Sequence, residues 1–368
     1  MHIGFDGMIW GGQETGVATA TRRLFLRVAA ESVEHELTAF VSDKAEVSGL
    51  DGKGMDRCRV VRCAHRARDR RVLWQQFVLP LLARRHGLDV LVCPCYTVPL
   101  ISKVPSVVVV HDMIAWKRPD LCRRLNVCHF RALLGISVRR AARVMVPTTT
   151  VKEDVLSILD APEHKVHRVP WGVDFEITPM EHDTAREIVL SDFGIDAPYV
   201  FTVGCLEPKK NLSATIEATR RIGAVLVAVG PAGWDAATRQ AIENQGGEHC
   251  RYLGYVTVLQ LSALYSAAEA FVFPSHIEGF GLPALEAMAC GAPVIASNAP
   301  ALLEVCGGAA LHAPSSDVGA LISCLRKVIG DAELRERLRQ RGRQHAREFS
   351  WDCTVRQFWE VIESIVRR

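Results

Sequence analysis

Short, almost unbroken apolar runs recur along this chain, each followed by a longer stretch in which apolar residues return every three or four positions. Runs of the first kind mark strands buried on both faces, and the longer stretches mark amphipathic helices. Near the N-terminus "HIGFDG" (2–7) reads as a strand, and "GGQETGVATATRRLFLRVAAE" (11–31) as a glycine-marked turn leading into a helix. "LTAFVS", "DVLVC", "SVVVVHD" and "RVMVP" read as further strands, with a long helical segment between His111 and Ala142. The rhythm restarts at "PYVFTVGCLEPKKN", where the strand Tyr199–Gly204 ends in a loop; "AVLVAVG", "RYLGYV", "AFVFPS" and "APVIAS" follow. The pattern from Leu321 to Arg347 predicts an Arg-rich helix, and Trp351–Arg368 a last one.

Strands alternating with helices in this way predict α/β layers built on parallel sheets. The periodicity breaks in "RVPWGVDFEITPMEHD", Arg168 to Asp183, where two prolines and a glycine precede the second set of strands. The expected architecture is therefore two Rossmann-like domains, 1–172 and 173–350, facing each other across a cleft, with 351–368 as a C-terminal helix. A length of 368 residues suits two such cores. Ligands of doubly wound sheets bind outside the carboxyl ends of the strands, so the functional residues are expected there.

Composition narrows the class. No apolar run approaches the ~20 residues that a bilayer-spanning helix needs. The first ten residues, "MHIGFDGMIW", lack both the basic and the apolar region of a signal peptide, so the chain is expected in the cytoplasm. The 12 cysteines are scattered with no CxxC pair, which favours buried reduced thiols over disulfides or zinc. Charge is uneven: residues 1–172 carry 26 Lys and Arg against 17 Asp and Glu, whereas residues 173–368 carry 18 against 24. The basic excess gathers in Arg57–Arg85 and in Lys117–Arg143. Such a face suits anionic lipid headgroups or a diphosphate-bearing acceptor, and an arginine-rich solvated surface would look the same. No aromatic-interleaved or helix-turn-helix module accompanies it, so nucleic acid is not expected as a partner.

The richest motif is "PSHIEGFGLPALEAMACGAPVIAS", Pro274 to Ser297. Pro283 falls at the start of a predicted helix, which turns the N–H groups of Phe280, Gly281 and Leu282 outward beside the positive end of the helix dipole, a setting for phosphate. Gly279 and Gly281 permit close backbone approach. Glu286 is expected in the first turn of that helix and Glu278 in the loop before it. Carboxylates beside a phosphate site suit vicinal sugar hydroxyls better than the phosphates themselves. "EPKKN" sets Lys209 and Lys210 at the end of a strand, where a lysine acts as a point charge on phosphate. "SVVVVHD" sets His111 at the end of another, either as a sugar contact or as a core histidine. "GGQETG", Gly11 to Gly16, is a further glycine turn before a helix, with spacings unlike the dinucleotide fingerprint. No GxSxG, HExxH or GxxxxGK[ST] occurs, so serine hydrolase, zincin and P-loop chemistry have no support.

Together these segments resemble the family-4 glycosyltransferases of GT-B fold. "PSHIEGFGLPALEAMACGAPVIAS" is similar to their E-x7-E segment, "VGCLEPKKN" to their donor-phosphate loop, "VPWGVD" to their linker and "GGQETG" to their first-domain glycine loop. "HDMIAW" through "RAARVMVPTTTVKEDV" resembles a subgroup associated with mannosyl transfer in bacterial polysaccharide assembly, and "FSWDCTVRQFWEVIESI" the closing helix that crosses back to the first domain. The resemblance implies that Glu286 holds the donor ribose and that Glu278 contacts the donor sugar, with the Phe280 and Gly281 amides nearby. It implies Lys210 on the departing diphosphate, Gly12 or Gly16 bringing first-domain backbone to it, His111 lining the sugar pocket, and Val256 beside the base. Many members carry arginine where this chain has Cys205, and Lys209 is the basic residue placed to substitute.

The resemblance further implies a retaining, metal-independent transferase with no cofactor, working by a front-face route while the domains close over the donor. The donor it points to is GDP-mannose, and the acceptor a polyprenyl-diphosphate-linked or other glycan met at the inner membrane face. A UDP-sugar transferase, a nucleotide-sugar epimerase on the same fold and a non-catalytic nucleotide-sugar binding subunit are the competing readings. Glu278, Glu286 and Lys210 together favour transfer.

Overall fold

The computed structural model describes residues 1–10, 16–32, 34–43, 45, 57–63, 71–173, 177–244 and 249–366. It divides into two compact units, each built on a wholly parallel sheet. Unit 1 comprises Met1–Lys117, Arg123–Trp171 and Trp351–Arg368; unit 2 comprises Arg118–Cys122 and Gly172–Ser350.

The strands of unit 1 are β1 (His2–Gly7), β2 (Glu36–Ser42), β3 (Cys58–Cys63), β4 (Val90–Cys93), β5 (Ser106–Val109), β6 (Arg143–Val146) and β7 (Val166–Arg168). They lie in the order β3-β2-β1-β4-β5-β6-β7. Ile3 sits opposite Leu37 on one side and Val90 on the other. Every residue of β4, β5 and β6 is buried, which explains their continuous apolar reading. Phe5 of β1 meets Phe25 of the helix Gly16–Glu31 at 5.0 Å and Phe358 of the helix Trp351–Val366 at 5.8 Å between ring centroids. The C-terminal helix buries Trp351, Val355, Phe358 and Ile362, one stripe at helical spacing. Arg143 secures its end, donating to the Ser364 carbonyl at 2.6 Å, where a cation also complements the helix dipole.

Unit 2 holds β8 (Tyr199–Val203), β9 (Val225–Val229), β10 (Cys250–Gly254), β11 (Ala270–Phe273), β12 (Val294–Ser297) and β13 (Leu311–Ala313), in the order β10-β9-β8-β11-β12-β13. In each unit the strand order reverses once, between β1 and β4 and between β8 and β11. Those are the topological switch points at whose carboxyl ends ligands bind in sheets of this kind.

The structure departs from the sequence reading in four places. β3, β7 and β13 were not legible: β3 is an arginine-bearing edge strand, and β7 and β13 have three residues each. The single helix expected over His111–Ala142 is instead Ile114–Lys117 and Arg124–Arg140, interrupted where Pro119 opens a separate short turn. The Leu321–Arg347 pattern is two helices, Val318–Gly330 and Ala332–Ala346; Asp331 divides them by accepting from the Leu334 N–H at 2.9 Å as an N-cap. Within 71–85 the helix widens to π-type turns over Trp74–Val78, just before Pro80, a residue that cannot donate in a regular helical ladder. No described helix is long and apolar enough to cross a membrane.

Candidate functional site

The switch point of unit 2 is assembled by loops that only glycine allows to touch. A Cβ on Gly230, which has φ +138°, would stand 2.2 Å from the Gly204 carbonyl oxygen. Gly204 follows β8 directly, and its own missing Cβ leaves room for the stem of Lys210, whose Cγ and Cδ lie 3.4 Å from that point. Lys210 ends one tight turn, Pro208–Lys210, and Asn211 then takes the left-handed conformation, φ 52°, before the helix Leu212–Ile222. The Asn211 amide donates to the carbonyls of Ser315 at 2.7 Å and Pro274 at 3.2 Å. The His276 N–H donates to the Lys209 carbonyl at 2.8 Å. These bonds tie the loop after β8 to the loop after β11.

The result is an ion pair. Lys210 Nζ donates to Glu278 Oε1 at 2.6 Å and lies 4.7 Å over the Phe273 ring. Both side chains are mostly buried, at 18% and 12% exposure. Burial alone would raise the Glu278 pKa, but the charges of Lys210 and then Lys209 outweigh it and hold the carboxyl below its ordinary value. Lys209 Nζ lies 3.6 Å from Glu207 Oε2. Beside them, burial above all raises the pKa of Cys205, with Glu207 adding to it. A neutral thiol supplies no second cation there.

The helix Leu282–Cys290 carries Pro283 in its first turn, as its sequence suggests. Gly281 caps it with φ +105°, and a Cβ there would meet Leu302 Cδ2 at 2.4 Å. Among the described residues none accepts from the N–H groups of Phe280, Gly281 and Leu282, which leaves three donors at the helix start. The Phe280 ring packs edge-on to Phe349 at 5.9 Å; Gly279 stands in the loop before it. Glu286 needs a correction: the helix starts at Leu282, so this residue opens the second turn rather than lying in the first. It is only 6% exposed, and the Tyr265 hydroxyl donates to its Oε2 at 3.2 Å. Val256 is half-buried between Gly254, with φ +69°, and Thr257, whose side chain forms a capping box with Gln260.

His111 belongs to unit 1, two residues beyond β5. Its Nε2–H donates to the Pro94 carbonyl at 2.7 Å, and its ring stacks on Trp171 at 5.7 Å. Burial lowers its pKa, partly offset by the Pro94 bond and Asp112, so at neutral pH the ring is uncharged with Nδ1 as its acceptor. Gly16 opens the first helix with nothing within 4 Å of where a Cβ would be. Gly12 lies outside the described residues. No group of three or more potential metal ligands occurs among the described residues. Three residues of the site were not singled out from sequence: Phe273, Asn211 and Tyr265. Asn211 carried a signal, since asparagine after a lysine turn is prone to the left-handed conformation; Tyr265 carried none.

Residues 10–177 match the family described as Glycosyltransferase Family 4, and residues 190–345 the family described as Glycosyl transferases group 1. The chain is 30% identical over 259 residues to O-antigen chain mannosyltransferase B of Escherichia coli, covering 68% of each. Several further relatives, the serotype-specific mannosyltransferases of the same species, are longer, and the chain spans about a third of their length. Among solved structures it resembles sucrose-phosphate synthase of Thermosynechococcus elongatus, with TM-score 0.80, 19% identity and coverage of 100% and 99% of the two chains. It also resembles Anabaena HepE in complex with UDP and glucose, with TM-score 0.78, 17% identity and 99% coverage of each.

Proposed function

The chain belongs to glycosyltransferase family 4, with the two parallel-sheet units of the GT-B architecture, and on that premise we propose that it transfers mannose from GDP-mannose to a growing bacterial polysaccharide. The observation that carries this reading is the Lys210–Glu278 pair at the switch point of the second sheet. A cation held there by a carboxylate and an aromatic face is suited to receive the charge that develops on a departing diphosphate. Glu278, kept ionised, is suited to accept hydrogen bonds from sugar hydroxyls. The helix-start amides of Phe280, Gly281 and Leu282 add donors for the phosphates, and Glu286 would hold the ribose. The likeness to O-antigen mannosyltransferases supports mannose; the donor base follows from mannose and not from a contact.

Retention by a front-face route, independence of metal and a polyprenyl-diphosphate-linked acceptor belong to the same proposal. So does docking on the inner membrane face. Part of Arg57–Arg85 lies outside the described residues, but the helical stretch within it exposes Leu73, Phe77 and Leu81, four residues apart, beside Arg84 and Arg85. An apolar stripe rimmed by arginines favours an anionic bilayer. The experiment for the catalytic reading is nucleotide binding: thermal stabilisation by GDP, UDP, ADP or dTDP, with and without EDTA. Stabilisation by UDP alone would favour the UDP-sugar alternative.

A further inference from the structure

The loop that leaves β4, at the switch point of unit 1, carries a strained residue. Tyr96 holds φ +60°, in the left-handed region, where an aromatic side chain is rare and persists only if its surroundings fix it. The surroundings here do so through Gln75, which is 1% exposed within the π-type turns Trp74–Val78. Gln75 Nε2 donates to Asp6 Oδ2 at 2.7 Å and to the Thr97 carbonyl at 3.0 Å, and its Oε1 accepts from the Thr97 hydroxyl at 2.7 Å. The Tyr96 N–H donates to the carbonyl of Val109, the last residue of β5, at 3.0 Å. The Val98 N–H donates to Ser137 Oγ at 3.2 Å. A buried polar network satisfied in this way rigidifies the segment it holds, and π-type widening of a helix is frequent at functional sites.

What the locked loop touches is His111. The Pro94 carbonyl takes the Nε2 proton at 2.7 Å, and the Tyr96 ring stands edge-on to the imidazole, 5.4 Å between centroids at 65°. Trp171 stacks on the imidazole at 5.7 Å and 19°, and Phe130 packs against Tyr96 at 4.7 Å. Tyr96, His111 and Trp171 are all buried. A carbonyl can only accept, so Nε2 bears the proton and Nδ1 is the one acceptor of the neutral ring. Nδ1 has no hydrogen-bond partner among the described residues. A histidine that served the core alone would gain nothing from a strained neighbour that fixes its plane and leaves its acceptor open.

From this arrangement we infer that Tyr96 is a positioning residue for His111: the loop Pro94–Thr97, locked by Gln75, holds the imidazole in its Nε2–H tautomer and offers Nδ1 to a hydroxyl of the transferred sugar. The hydroxyl rests on the transferase reading; the positioning rests on the loop alone. Tyr96 acts with its ring, so phenylalanine can replace it. Asparagine cannot, although it tolerates the left-handed backbone as well as any residue but glycine.

The test uses the full chain labelled with nitrogen-15 histidine, the His111 ring signals being those that His111→Gln lacks. Without ligand, the wild type should show Nδ1 unprotonated and an Nε2–H whose exchange with water is slow enough to observe. Tyr96→Phe should keep that signal, and Tyr96→Asn should speed its exchange by roughly tenfold or more. Exchange unchanged in a folded Tyr96→Asn, or accelerated as much in Tyr96→Phe, would overturn the role of the ring. If Tyr96→Asn does not fold, Thr97→Val removes the bond to Gln75 at nearly constant size, and unchanged exchange there would overturn the proposal equally. GDP-mannose should then shift the Nδ1 signal in the wild type, and GDP should not. A protein stabilised by GDP whose Nδ1 ignores GDP-mannose would overturn the sugar contact. Absence of stabilisation by GDP would instead count against the donor reading, and the ligand-free exchange would still decide the positioning.

Discussion

Lys210 Nζ lies 2.6 Å from Glu278 Oε1 although 68 residues separate the two in sequence, because β8 and β11 are neighbours and each residue stands in the loop beyond its strand. The pair has a defined acid signature. Glu278 is held below the ordinary carboxyl value of 4.5, so its contribution to stability is complete above that pH and is lost as pH falls through its depressed value. In Lys210→Met, burial should dominate and raise the carboxyl pKa, reversing the sign: the variant should gain stability as pH falls from 7 towards 5. Urea midpoints measured across that range should rise towards pH 5 in the variant and show no such rise from Glu278 in the wild type. Parallel slopes would mean that the charge of Lys210 does not govern Glu278. The same variant should lower turnover by roughly 100- to 1000-fold, the usual cost of one lost donor to a developing charge.

Glu286 and Tyr265 separate binding from packing. Glu286→Ala removes the carboxylate proposed for ribose and should weaken nucleoside diphosphate binding roughly tenfold or more, as expected for a hydrogen bond to a charged group. Tyr265→Phe removes only the hydroxyl behind it and should weaken binding by less. Isothermal titration with GDP reads both. Wild-type affinity in Glu286→Ala would remove this residue from the donor site.

Gly281 is required by its backbone and by its neighbour. Alanine there would adopt φ +105° with strain and press within 2.4 Å of Leu302 Cδ2. Gly281→Ala should destabilise the protein by about 1–3 kcal/mol and tilt the helix start that presents the free amides. Denaturation of the variant measures the first effect. A GDP affinity unchanged beside a large loss of stability would show that those amides do not reach the ligand.

Much of the fold could be read from the sequence because strands buried on both faces announce themselves as apolar runs. β3 escaped because its arginines break the apolar run at an edge, and β13 because three residues carry no period. Asp331 was readable as a cap only once the turn around it was known. For the site, the types of residue were legible and the partners were not: Glu278 and Lys210 each stood out in their own loop, but their contact depends on strand order. Glu286 was placed one turn too early because its motif does not show where the helix begins.

The exposed stripe of Leu73, Phe77 and Leu81 should bring the chain to anionic vesicles. Binding to phosphatidylglycerol-containing liposomes should rise with anionic content and fall with salt, since surface charges are screened within a Debye length of ~8–10 Å near physiological ionic strength. Phe77→Asp with Leu81→Asp should reduce it strongly, and Arg84→Ser with Arg85→Ser should reduce its salt dependence. Co-sedimentation that ignores all four substitutions would exclude this face.

The central claim is that the Lys210–Glu278 switch point receives a nucleoside diphosphate. Thermal stabilisation by GDP, UDP, ADP and dTDP, each with and without EDTA, tests it most directly. The account predicts a shift with GDP that EDTA leaves unchanged and that Lys210→Met abolishes. No shift with any of the four, or a GDP shift that survives in Lys210→Met, would contradict it.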